Sequence, residues 1–216
     1  MRDALPSEND LGTNELFERV LEDLRSDEES RLGPLVALHG RPTRAVIDRS
    51  LALCASPDSA ERTVGLRVLR ELKHQTVDRQ LLWNSIEPVV VRLANEDEDS
   101  EVVRWAISCL GCQATGPVAL TAVLDRADHP DPGIRFAVAA ALPYLLDPAH
   151  LEEAPVEALV KLTEDDDADV RAYALMGLVN DLGLADDKRE VVKARLADTD
   201  DQIRRVARNA LKGTQQ

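Results

Sequence analysis

Residues 129–142 read HPDPGIRFAVAAAL: an aspartate flanked by prolines, an arginine four residues on, then small and aliphatic residues at helical spacing. An aspartate directly before such a run is a helix N-cap. Its carboxylate accepts the backbone N–H groups that the first turn leaves unpaired, and it sits at the positive end of the helix dipole. The same order recurs as SPDSAERTVGLRVL from Ser56, DEDSEVVRWAISCL from Asp97, DDDADVRAYALMGL from Asp165 and DTDDQIRRVARNAL from Asp198. The cap slot holds Asp58, Asp99, Asp131, Asp167 or Asp200. Four residues later stand Arg62, Arg135, Arg171 and Arg204, while the second copy has Val103 there and Arg104 one place on. A degenerate copy upstream pairs Asp27 with Arg31 and continues to Ala37-Leu38.

The arginine slots at 31, 62, 103, 135, 171 and 204 are 31, 41, 32, 36 and 33 residues apart. That is the length of one helical hairpin per repeat, and a fixed period of this size means a stacked array. Between the copies lie further apolar-periodic segments, at 43–55, 77–95, 117–127, 155–164 and 187–197, which supply the first helix of each hairpin. Residues 14–25 form the opening helix. Pro117 and Pro155 suit a first helical turn, Gly116 and Gly183 suit turns between helices, and Pro88 predicts a kink or restart in its long segment. Leu69, Leu110, Leu142, Leu178 and Leu211 recur at one core slot, and Ala174 with Gly177, like Ala207 with Ala210, give short side chains where the next helix must come close. The arginine can reach aspartates of its own or the neighbouring repeat and form a ladder. The fold expected is all-α: a right-handed α-solenoid of about six hairpins, with a polar tail over 1–13 and one solenoid over 14–216.

Composition agrees. Aromatics are 3% of the 216 residues and hydrophobic residues 44%, so the core is aliphatic and suits helix-on-helix packing better than a sandwich or barrel. Forty acids against 26 bases give a formal charge of −14, which argues against a general binder of the phosphate backbone. The acidity is uneven. Residues 1–40 hold 10 acids and 4 bases, and 147–201 hold 16 and 6, but 41–73 hold 4 acids and 7 bases. No run of about 18 apolar residues predicts a membrane span, and MRDALPSEND has no apolar signal core. Three cysteines fit a reducing compartment, so a cytoplasmic location is expected.

The run Asp131-Pro132-Gly133-Ile134-Arg135 onward to Ala141-Leu142 resembles the HEAT-like repeats of phycobiliprotein lyases, which also occur in many bacterial proteins. The resemblance extends over about 14 to 213. It implies the fold strongly and function weakly, because the matched positions hold the stack together. Relatives in that broad group serve as protein-binding scaffolds, lyase subunits, a DNA-repair glycosylase and a di-iron hydroxylase. The hydroxylase branch requires His-Glu dipeptides, whereas His39, His74, His129 and His150 are followed by Gly, Gln, Pro and Leu. A surface or capping role is expected for His129. The glycosylase branch requires a basic channel with aromatics. Trp105, Phe136 and Tyr173 could contribute, but Glu96-Asp97-Glu98-Asp99 and Glu164 to Asp169 would repel phosphates.

Cys109-x-x-Cys112 places two thiols one helical turn apart, yet no second pair completes a zinc set, and Cys109 fills the small-residue slot of Ala141 and Ala210. No convergent nucleophile, base and orienting group is apparent, so no catalytic, cofactor-binding or metal residues are assigned and no cofactor is expected. The function expected is a non-enzymatic protein-binding scaffold or adaptor. Its sharper form is an inhibitor or immunity-type protein for a basic partner, with no nucleic acid or membrane partner and a monomeric chain. The alternative is a lyase-like subunit that binds a tetrapyrrole or its acceptor protein. On second helices lining a concave side, positions one, five and nine after the arginine slot should face the groove. The binding lane expected on that geometry comprises Arg67, Arg104, Ser108, Phe136, Tyr144, Met176, Asn180, Arg205 and Asn209.

Overall fold

The computed structural model describes residues 11–26, 32–72, 79–113 and 116–213, and twelve α-helices and no strand are found among them. They pair as α1 (Thr13–Arg25) with α2 (Gly33–His39), α3 (Arg44–Leu53) with α4 (Ser59–Arg70), and α5 (Arg79–Glu96) with α6 (Ser100–Gln113). Then come α7 (Pro117–Leu124) with α8 (Pro132–Leu145), α9 (Glu153–Leu162) with α10 (Ala168–Met176), and α11 (Arg189–Ala194) with α12 (Asp201–Gly213). This is the all-α solenoid class, built from six helical hairpins. Two compact units divide it, residues 1–109 and 110–216. In the first, α4 packs on α1, α2 and α3; in the second, α8 packs on α7, α9 and α10, and α10 packs on α12. Most of the polar tail expected over 1–13, and Asp27 with Arg31, lie outside the described residues.

All five cap aspartates act as the repeat predicts. Asp58 accepts from the Ala60 N–H at 2.9 Å and Asp131 from Gly133 at 2.8 Å. Asp99, Asp167 and Asp200 each accept from two successive N–H groups, as Asp167 does from Asp169 at 2.9 Å and Val170 at 3.1 Å. The residue two before each cap closes the turn by accepting the cap's own N–H: Ser56, Asp97, His129 through Nδ1, Asp165 and Asp198. His129, for which a surface or capping role is expected, closes the turn before the α8 cap and is not itself the cap.

Where that slot is aspartate it also takes the arginine of the preceding repeat. Arg62 grips Asp97 with two bonds (2.7 and 2.9 Å), Arg135 grips Asp165 (2.6 and 2.8 Å) and Arg171 grips Asp198 (3.0 and 2.9 Å). The third guanidinium nitrogen donates to two carbonyls of its own repeat's turn, as Arg135 does to His129 and Pro130, both at 2.9 Å. One side chain thus ties its own loop to the next repeat's loop by charge-assisted bonds. Arg25 reaches Asp58 in the same direction. Val103 and His129 stand in two of these slots and bring neither charge.

Core packing follows the leucine slot. Leu69, Leu110, Leu142 and Leu178 are buried, while Leu211 in the last described helix is only partly covered. Helices of the second unit approach closely at glycines: a Cβ on Gly111 would stand 2.6 Å from the Ala141 Cβ, and one on Gly177 would stand 2.6 Å from the Pro143 ring. A methyl on Gly65 would meet the Ser50 carbonyl at 2.6 Å. One alternative is corrected, the restart at Pro88, and one feature is new. Pro88 lies inside α5, whose helix continues through 79–96 without a restart. The second helix of the fifth hairpin does not stay α-helical to its end: Gly177–Asp181 widens into a π-turn that Gly183, at φ 69°, closes.

Candidate functional site

Each unit presents part of the expected lane. In the first, α4 supplies Arg67 and Arg70, and α6 supplies Glu101, Arg104, Trp105 and Ser108. Three guanidiniums surround the Trp105 indole, with Arg67 5.1 Å, Arg104 5.2 Å and Arg70 5.9 Å from its centroid, all within the range of cation–π attraction. Glu101 holds the arrangement from below. It accepts from Arg104 Nε at 2.9 Å and from the indole N–H at 2.7 Å. Arg70 donates to the Ser108 hydroxyl at 2.7 Å and pairs with Glu71. Arg67 has no hydrogen-bond acceptor and no ion-pair partner among the described residues, and its Nε is fully buried. Burial pulls its guanidinium below the ordinary arginine value, opposed by Glu101 and reinforced by Arg104. The backbone carbonyl of Arg67, freed at the end of α4, meets His39 Nε2 at 3.0 Å. Burial lowers the His39 pKa, so the ring caps that carbonyl as a neutral donor.

In the second unit, Phe136 of α8 is half-buried and meets Tyr173 of α10 edge to face, with centroids 4.5 Å apart at 63°. Tyr144 stands 68% exposed near the end of α8. Met176 is half-buried, and Asn180, Arg205 and Asn209 are exposed. None of the nine lane residues is buried, but the one-five-nine spacing is not uniform. Thr63 and Ala172, which share that spacing, are buried. Arg70, Trp105 and Tyr173, which the spacing passes over, stand with the lane residues. Trp105 and Tyr173 both lie two places after the arginine slot, so a helix face wider than one lane would have included them.

The acidic loops form a second feature. An open recess of about 640 Å³ is lined by Asp128, His129, Arg135, Lys161, Glu164 and Asp166 among others. Lys161 reaches Asp128 at 2.6 Å. Arg135 holds the Asp165 carboxyl below its ordinary pKa, as Arg171 does Asp198, so part of the loop acidity is spent internally. Cys109 is buried and Cys112 exposed, and no group of three or more potential ligands for a metal ion occurs among the described residues. Nor is any helix among them long and apolar enough to cross a membrane.

A profile described as HEAT repeats matches residues 47–143, which span α4, α5, α6 and α7 and most of α3 and α8. Within this chain, residues 47–143 are HEAT repeats. Its fold is similar to that of Escherichia coli YibA, with a TM-score of 0.72 at 20% identity over 98% of this chain and 76% of that one. A designed armadillo repeat protein in complex with the peptide (KR)4 matches at 0.57 and 15%, over 92% and 98% of the two chains. The complex of CpcE and CpcF of phycocyanin lyase from Nostoc sp. matches at 0.55 and 22%, over 78% and 99%. No curated protein sequence matches the chain. At these identities the likeness establishes the HEAT-repeat fold, and the lyase-type resemblance is one of architecture.

Proposed function

We propose that this protein is a non-enzymatic protein-binding scaffold, one solenoid over 14–216, that receives a protein partner on its second helices. The observation that carries the reading is the set of aromatic and cationic side chains left at the surface of those helices in a chain with so few aromatics. Trp105 stands among three arginines, and Tyr144, Phe136 and Tyr173 project from successive second helices. Large rings flanked by arginine are the composition of interface hot spots, because they bury much area at little conformational cost. The acidic loop recess and the charge of −14 favour a basic partner by steering its approach, the sharper form being an inhibitor or immunity-type protein. A related fold that seats a peptide of lysine and arginine supports this choice.

The test is affinity purification of the tagged chain from its native cell, with mass spectrometry of proteins and an absorption spectrum of the eluate. A stoichiometric basic protein supports the reading. A bound pigment would overturn it in favour of a lyase-like subunit.

A further inference from the structure

Three arginines gather around Trp105 with Glu71 and Glu101, which leaves one positive charge in excess. Arg104 is held by Glu101, and Arg70 by Glu71 and Ser108. Arg67, beside the same indole, is half-buried, with its Nε out of solvent and no acceptor among the described residues. Its buried Nε leaves the guanidinium partly desolvated beside Arg104, and the nearby Glu101 is already engaged by Arg104 and the indole, so a further anion would be favoured here. The chain has 40 acids from which one could have been placed here, yet 41–73 holds 7 bases to 4 acids. We propose that the Arg67–Trp105 cluster is a carboxylate-recognition site, which takes an aspartate or glutamate side chain from an acidic segment of a protein partner.

Arg67 supplies the charged fork. Trp105 offers an apolar face on which the methylenes or a neighbouring apolar residue of the segment can lie. A nucleic acid is disfavoured as the occupant. Glu71 and Glu101 pair with arginines of the cluster itself, with Glu61 on α4 and Glu98 before α6 close in sequence, so a chain of phosphates would meet repulsion where one carboxylate does not. The inference rests on the reading of the chain as a protein-binding scaffold and adds the chemistry of one contact. A partner with a basic body still meets the acidic loops, and only the segment at this cluster must be acidic.

The test uses the whole chain and Trp105 fluorescence, since the other tryptophan, Trp83, is buried and serves as a constant background. The probe is an acetylated, amidated Gly-Glu-Leu-Glu-Gly peptide, compared with its Gln- and Lys-substituted counterparts and with oligothymidylate. The acidic peptide is expected to give a saturable change that the glutamine peptide, of equal shape, does not reproduce. Arg67→Gln should weaken binding roughly tenfold, the loss of about one charge-assisted hydrogen bond, with the far-ultraviolet spectrum and melting temperature retained. Arg67→Lys should recover part of the affinity, because the charge returns without the fork. Arg208→Gln on α12 should leave it unchanged.

Several results would overturn the proposal: no saturable response to the acidic peptide, equal binding of the glutamine or lysine peptide, saturable binding of oligothymidylate, or undiminished affinity in folded Arg67→Gln. Concentration-dependent dimers abolished by Arg67→Gln would assign the cluster to a second copy, and this also defeats it. If Arg67→Gln fails to fold, the comparison of glutamate with glutamine peptide on the native chain still decides. A chain that captures a stoichiometric protein partner but ignores the acidic peptide defeats this site and leaves the scaffold reading standing.

Discussion

Arg135→Ala breaks one rung of the ladder at its best-formed point, and its cost can be worked from the geometry. The substitution removes two bonds to Asp165, of 2.6 and 2.8 Å, and two to the carbonyls of His129 and Pro130. The partners are 17% and 8% exposed, so the Asp165 carboxylate is left with little solvent to replace the guanidinium. Removing one member of a fully buried pair costs about 3–5 kcal/mol. Asp165 keeps the Asp167 N–H at 2.9 Å and the field of Arg171, and Arg135 is not fully buried, so a loss of about 2–3 kcal/mol is expected here. Urea unfolding followed by far-ultraviolet circular dichroism, with the denaturant slope checked for constancy, measures it. Lys161→Ala is the control, because its pair with Asp128 is exposed on both sides and should be worth at most about 1 kcal/mol. Equal losses from the two substitutions, or a loss below about 0.5 kcal/mol for Arg135→Ala, would refute the claim that the ladder ties the repeats together.

Gly65→Ala should destabilise by about 1–3 kcal/mol through overpacking against the Ser50 carbonyl, whereas Gly116→Ala, with open space around it, should change stability little; the same urea titration reads both. Acidification should cost stability in two stages. The His39 pKa is lowered, so the unfolded chain takes up the proton first and stability falls as pH drops below about 6.5. Asp165 and Asp198 are also lowered, so their contribution is full above the ordinary carboxylate range near 3.8 and is lost as pH falls below it; melting temperature against pH, with His39→Gln flattening only the first stage, checks the order. Tyr144→Ala should leave the melting temperature unchanged and weaken partner binding by about 1–3 kcal/mol, measured by calorimetric titration of the purified pair.

The repeat was legible because its signals are local. A cap aspartate, an arginine one turn on and a leucine seven places later each act through backbone groups or the nearest helix, so their spacing carries the hairpins and even the direction of the ladder. The π-turn at Gly177–Asp181 leaves no such mark, since any residue can join a wider turn and Gly177 reads equally well as a close-packing position. At Pro88 the helix runs on without the restart that was one of two expected outcomes, because a proline inside a helix ends it only where the chain cannot adapt around the missing N–H. The lane emerged in part. Arg67, Arg104 and Ser108 come from a helical period alone, but the gathering of Arg70, Glu101 and Trp105 around them depends on how α4 and α6 face each other, which single-helix spacing does not encode.

Whether a protein partner is held by the second helices is tested most directly by calorimetric titration of the partner captured from the native cell. The native chain is compared with Arg67→Gln, Tyr144→Ala and charge reversals over 165–169. The account predicts that each second-helix substitution lowers affinity at least about fivefold, with folding intact, and that the loop reversals act mainly on association rate and salt dependence. Unchanged affinity in both second-helix variants, with binding abolished by the loop reversals, would place the partner on the acidic edge and contradict it.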